Sequence, residues 1–205
     1  MPTLKRNDIP AGLRDFFDEN PRVALAFSGG CDSSYLLACA KACGAQVKPY
    51  LVHSVFQYGF EPDDAARVAR FLDVPFETIT VDILSEDALV DNPPDRCYHC
   101  KRAIFGTIAE KAKAAGYPLL IDGTNATDDP ANRPGFRAIA ELGVRSPLRE
   151  AGLTKDEIRS LSRRAGLVTA DKPNYSCLAT RLPQGERITT EALEALSQQD
   201  WLDRT

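Results

Sequence analysis

Short apolar runs alternate with stretches of helical periodicity along most of the chain. Residues 22–27 and 47–52 are nearly continuous apolar runs, 76–81 alternate in polarity, and 119–122 are apolar up to Asp122. These four segments predict strands, and a fifth, shorter one is predicted near 144–146. Between them the apolar positions fall at helical spacing. Ile9, Leu13, Phe16 and Phe17 predict a helix over 8–19, ended by Asn20-Pro21. Further helices are predicted at 33–43, 62–73, 97–115, 136–142, 154–165 and 189–203, with Gly44 and Gly116 as stop signals. Strands alternating with helices predict an α/β fold, a parallel five-stranded sheet flanked by helices. Ligands of such sheets bind at the C-terminal strand ends. Three polar segments follow strands and converge there: Ser28–Ser34, Val52-His53-Ser54 and Asp122-Gly123-Thr124-Asn125.

The first segment reads Ser28-Gly29-Gly30-Cys31-Asp32-Ser33-Ser34. Adjacent glycines let the backbone approach a ligand closely and adopt positive φ. The turn amides and the unpaired N–H groups of a helix starting near Ser33 would converge on an anion, most simply a phosphate. The serines add hydroxyl donors, and Asp32 could hold Mg²⁺ for a polyphosphate. The segment has no G-x-x-x-x-G-K-[ST] pattern, so no lysine of its own reaches the terminal phosphates. A merely polar glycine connection is the bland alternative.

Six cysteines stand at 31, 39, 43, 97, 100 and 177. Cys39 and Cys43 sit among alanines and leucines and read as small core residues. Cys31 occupies the variable loop position and receives no chemical role. Cys97-Tyr98-His99-Cys100 opens the long predicted helix, so both thiols share a face and feel the N-terminal dipole, which favours thiolate. Cys177 lies in the polar loop 171–187, which also holds Arg181. Spacing alone leaves several readings: unrelated thiols, a redox pair, structural zinc, or a four-iron four-sulfur cluster held by three cysteines with one iron open. His99 is a weak ligand candidate. Arg181 suits a substrate carboxylate or phosphate, or an ordinary ion pair. The acidic stretch 61–64 and Asp128-Asp129 read as solvated faces and caps.

The chain has 205 residues, 43% hydrophobic, with net charge −4. That size supports one well-buried domain. The acidic balance argues against a broad nucleic-acid footprint. No apolar run spans a bilayer and no signal core follows the N-terminus, which reads as cytoplasmic.

The loop resembles the PP-loop of the ATP pyrophosphatases, which split ATP between the α- and β-phosphates to adenylate an oxygen. The match extends through Arg96-Cys-Tyr-His-Cys-Lys101, Asp122-Gly-Thr-Asn125, Arg133-Pro-Gly135, Gly143-Val-Arg-Ser-Pro-Leu148 and Pro173-Asn-Tyr-Ser-Cys-Leu-Ala-Thr-Arg181. With these segments the chain is similar to the LarE family, ATP-dependent sulfur transferases that build the nickel-pincer cofactor of lactate racemase. The resemblance implies an adenine nucleotide α-hydrolase-like fold. It implies ATP and Mg²⁺, with Ser28, Gly29, Gly30, Asp32, Ser33, Ser34, His53, Gly123, Thr124 and Asn125 around the nucleotide and Mg²⁺ on Asp32. The implied substrate is a pyridinium mononucleotide with two carboxylates. In one branch Cys177 gives up its sulfur and becomes dehydroalanine. In the other, Cys97, Cys100 and Cys177 hold a 4Fe-4S cluster, and this chain resembles that branch. Cys177, Asp32 and Arg181 are the implied catalytic residues. A tRNA-thiolating enzyme and a non-catalytic nucleotide module remain the alternatives. The resemblance further implies a homo-oligomer, with partner proteins supplying sulfur and inserting nickel. Residues 1–170 are expected to form the PP-loop domain. Residues 171–205 are expected to form a cysteine-bearing loop and helix that begin a shortened C-terminal region.

Overall fold

The computed structural model describes residues 4–129 and 134–202; Asn132 and Arg133 lie outside them. Strands β1 (Arg22–Ala26), β2 (Gln46–His53), β3 (Glu77–Thr80) and β4 (Leu119–Ile121) form one sheet in the order β3-β2-β1-β4. All the pairings are parallel. Helices α1 (Ala11–Glu19), α2 (Cys31–Ala42), α3 (Glu61–Leu72), α4 (Asp87–Val90) and α5 (Arg96–Ala114) precede β4 or lead into it. Helices α6 (Gly135–Glu141), α7 (Pro147–Glu150), α8 (Lys155–Arg164) and α9 (Thr190–Leu202) follow.

Successive residues of a strand face opposite sides of the sheet, so each strand feeds two cores. On one side Val23, Leu25, Leu51 and Ile121 pack with Leu13, Phe16, Leu36, Leu37 and Ile158, from α1, α2 and α8. On the other side Ala24, Tyr50, Val52, Ile79 and Leu120 meet Phe105, Ile108 and Ala112 of α5 and Ile139 of α6. A third cluster joins the 171–202 segment to the rest, with Leu178, Ala179, Ile188 and Leu193 packed on Phe56, Tyr58, Ile83 and Leu89. No helix among the described residues is long and apolar enough to cross a membrane.

The sheet has four strands among the described residues rather than the five expected from the sequence. Residues 144–146 do reach the expected place beside β4, but as a single parallel bridge between Ile121 and Arg145. Arg145 donates its N–H to Leu120 O at 3.0 Å and accepts from the Asp122 N–H at 2.9 Å. Pairing stops there because Pro147 has no N–H to offer and opens α7 instead. The short helices α4 and α7 are too brief to leave a periodic signal.

Helix α8 starts with a capping box. The Glu157 N–H donates to Thr154 Oγ1, and Glu157 Oε2 accepts from the Thr154 N–H at 2.8 Å. Thr154→Ala removes half of this device. It should destabilise the fold by about 1 kcal/mol, read as a lower urea midpoint with an unchanged m-value.

Candidate active site at the strand ends

Strand β1 delivers the chain into the turn at Gly29, whose φ is +67°. A Cβ there would lie 2.7 Å from the Ala65 Cα, so both the conformation and the space require glycine. Gly30 caps α2 with no side-chain acceptor, so the cap gives the first-turn amides none. The helix begins at Cys31, two positions before the start near Ser33 that the sequence predicts, which places Asp32 in its first turn. Ser33 Oγ accepts from the Ser28 N–H at 3.3 Å, and the Ser28 and Ser33 hydroxyls are 3.1 Å apart. Ser34 Oγ is buried and unpartnered. Cys31 turns away from this cradle into the core, its sulfur 3.6 Å from Ser162 Oγ, and burial pushes its pKa up.

The end of β4 closes on the same spot. A Cβ on Gly123 would sit 2.9 Å from the Ser33 amide nitrogen. Asp122 is buried, accepting from Thr124 Oγ1 and Ser146 Oγ, each at 2.7 Å. Asn125 Nδ2 donates to Asp32 Oδ2 at 3.2 Å. His53 ends β2 with its Nδ1 buried and unpartnered. Ser34 and His53 thus each carry a buried polar atom without a hydrogen-bond partner, uncommon in folded chains.

Two lysines that sequence reasoning missed complete the site. Lys155 Nζ donates to both Asp32 oxygens, at 2.8 and 2.9 Å, and both side chains are largely buried. Lys172 Nζ donates to Gly29 O at 3.2 Å and to Asp64 Oδ2 at 2.9 Å. Lys155 follows the T-x-x-E cap of α8, which marks it as a first-turn residue but not what it faces. Asp64 is thereby no solvated face, as the reading of 61–64 had it. Burial pushes its pKa up, but hydrogen bonds from Lys172 and Arg67 outweigh this and hold it low. Glu61 accepts from the Tyr58 N–H at 3.0 Å, and its pKa is raised by burial. A lone carboxylate such as Asp32 suits Mg²⁺ that is otherwise held by phosphate oxygens. That ion would have to share Asp32 with Lys155.

Beyond this cradle stand the three cysteines, Cys97 beside Arg96 and the other two against one apolar cluster. Cys97 and Cys100 lie in the first turns of α5, and Cys177 precedes a 3₁₀ turn, Leu178–Arg181. Cys100 and Cys177 pack against the third apolar cluster, and each of the two titrates under the charge of Cys97 and of Arg96. Arg96 is buried, with Nη2 3.7 Å from Cys97 Sγ and its guanidinium over the Phe56 ring. Among the described residues no three His, Cys, Asp or Glu side chains stand close enough to hold a single metal ion. Soft thiols, two of them against apolar groups and the third beside a buried cation, are donors of the kind an anionic iron–sulfur group takes. His99 turns to Asp95 at 3.2 Å. Arg181 is exposed at the end of the 3₁₀ turn.

The expected thiolate character fails at Cys100. Burial, with the charge of Cys177 second, pushes its pKa up to about 12, outweighing the helix dipole. Burial also raises that of Cys177, with Arg96 acting against it. A raised thiol pKa means that thiolate forms only above the ordinary range. In the reduced, metal-free chain, iodoacetamide should therefore modify Cys100 and Cys177 slowly between pH 7 and pH 8.5. The rate should climb only at more alkaline pH, as peptide mass mapping would show.

The fold is an α/β fold with a parallel sheet flanked by helices, of the kind PP-loop proteins have. A solved structure of NMN synthetase from Francisella tularensis superposes with TM-score 0.65, covering 98% of this chain and 87% of that one at 16% identity. No family model matches the sequence. An uncharacterized protein of Synechocystis sp. is 37% identical over 183 residues, 89% of this chain and 68% of that protein. The pyridinium-3,5-bisthiocarboxylic acid mononucleotide synthase of Lactiplantibacillus plantarum is 32% identical over 193 residues, 92% of this chain and 68% of that enzyme. The tRNA-specific 2-thiouridylase MnmA of Trichlorobacter lovleyi is 29% identical over 189 residues, 74% of this chain but 52% of that enzyme. The chain belongs to the LarE family of sulfurtransferases.

Proposed function

We propose that the chain uses ATP to convert a carboxylate of pyridinium-3,5-biscarboxylic acid mononucleotide into a thiocarboxylate. One observation carries this reading: a single loop spans both halves of the site. Its Lys172 donates to the carbonyl of Gly29, and its Cys177 packs against the same apolar cluster as Cys100. Activation and sulfur delivery are thus tied by one short stretch of chain.

In this reading the amides of residues 28–30 and the start of α2 hold the β,γ-phosphates, with the Ser33 and Ser34 hydroxyls beside them. Asp32 holds Mg²⁺, and Lys155, displaced from Asp32, neutralises phosphate charge. A substrate carboxylate oxygen attacks the α-phosphorus, and pyrophosphate leaves. A sulfur nucleophile then attacks the carbonyl carbon of the acyl adenylate. The C–O bond to the phosphate breaks, giving thiocarboxylate and AMP. Cys97, Cys100 and Cys177 would hold a 4Fe-4S cluster, whose open iron supplies sulfide when bound. Arg181 holds a second carboxylate or the phosphate of the substrate. The apolar wall of Phe56, Leu178 and Ala179 keeps water from the adenylate.

ATP–pyrophosphate exchange should require the pyridinium dicarboxylate and fall at least about a hundredfold in Asp32→Ala, as loss of a preorganised charge contact in the transition state costs. Exchange without the substrate would contradict the reading. Anaerobic reconstitution should give ~4 irons per chain. An iron-free protein that forms product while Cys177 loses the elements of H₂S would assign the sacrificial route instead. Salt-sensitive tRNA binding with tRNA-dependent exchange would assign the MnmA-like one.

A further inference from the structure

We propose that Arg96 is the anion-holding residue beside the three cysteines: its unpartnered Nη1 hydrogen-bonds a sulfur anion, hydrosulfide, kept near the thiols. The inference rests on the sulfur-transfer reading above and adds a binding residue to it.

Arg96 is 6% exposed, and its Nη1 has no hydrogen-bond partner. A buried guanidinium with an open terminal nitrogen is costly to keep, because desolvation removes its water without replacing it. Elsewhere in this chain buried or half-buried cations are paired. Lys155 meets Asp32 and Lys172 meets Asp64. The other terminal nitrogen of Arg96 faces the Cys97 sulfur, and the guanidinium carbon stands 5.7 Å from the centre of the Phe56 ring. Two of its contacts are thus a sulfur and an aromatic ring. A hard, strongly hydrated anion gains little there. A soft, weakly hydrated one suits a guanidinium, itself more weakly hydrated than an ammonium. Phe56 in turn belongs to the apolar cluster on which Cys100 and Cys177 pack, which sets Arg96 beside the thiols. Helix α5 fixes the donor, since Arg96 is its first residue and Phe56 backs the guanidinium. A sulfur anion held there is positioned, while its nucleophilic lone pairs stay free for the activated carbonyl.

The test is anaerobic calorimetry, titrating sodium hydrosulfide at pH 8 into the reduced, metal-free full chain. The natural chain should bind hydrosulfide. Arg96→Met should bind at least about tenfold more weakly, the loss typical of a charge-assisted hydrogen bond. Arg96→Lys should recover part of the affinity, since it restores the charge but not the fork. Circular dichroism melting establishes that each variant is folded. In the iron-loaded enzyme the same substitutions should raise KM for hydrosulfide by a similar factor. Equal hydrosulfide affinity in folded Arg96→Met, or no binding by the natural chain, overturns the proposal. So does a variant that keeps hydrosulfide but loses pyridine-3,5-dicarboxylate, which would give Arg96 to the acceptor carboxylate instead. Should the natural chain show no substrate-dependent exchange, the adenylation reading falls, and the hydrosulfide titration still decides the role of Arg96.

Discussion

The approach of Gly29 to the backbone of Ala65 is the constraint on which the site depends. With no Cβ between them, the turn after β1 lies directly on the start of α3, and Lys172 Nζ fastens it by bonding Gly29 O and Asp64 together. The direction of α2 follows, and with it the position of its unpaired first-turn amides. Gly123 makes the matching approach from β4 to Ser33. Two glycine contacts from opposite sides thus set the mouth of the sheet to within the width of a methyl group.

Charge is arranged around that mouth in a way the net value of −4 conceals. A phosphate loop with a lysine in its own motif carries its cation locally. This chain brings Lys155 and Lys172 from segments far along the sequence and stores them on Asp32 and Asp64. Such pairs contribute little net stability, since desolvation offsets much of the attraction. Their carboxylate partners keep two cations in place at the strand ends.

The strands were legible because their apolar runs are short and end at turn residues. The turn into α2 was legible because adjacent glycines after an apolar run mark a break from strand to helix. The fifth strand was misread from a real signal: Val144 and Arg145 do lie beside β4, but Pro147 ends the pairing after one bridge. The thiols show a different limit. A helix start argues for thiolate, but how deeply α9 and the Leu178–Arg181 turn bury Cys100 is a tertiary fact, and burial prevails. Lys155, Lys172 and Arg96 carried no signal of their role, because a cation's partner is chosen by the fold rather than by its neighbours in sequence.

The single bridge at Arg145 also bears on how the molecule behaves at high concentration. An open sheet margin invites the strand of another chain, and long, flat margins seed aggregates. Here β4 is only Leu119–Ile121, and the bridge takes up the Leu120 carbonyl on its outer side. The backbone then turns at Ser146-Pro147, where a proline blocks further laddering. What falls short as a fifth strand serves as a stopper, leaving a foreign strand little to add to on that side.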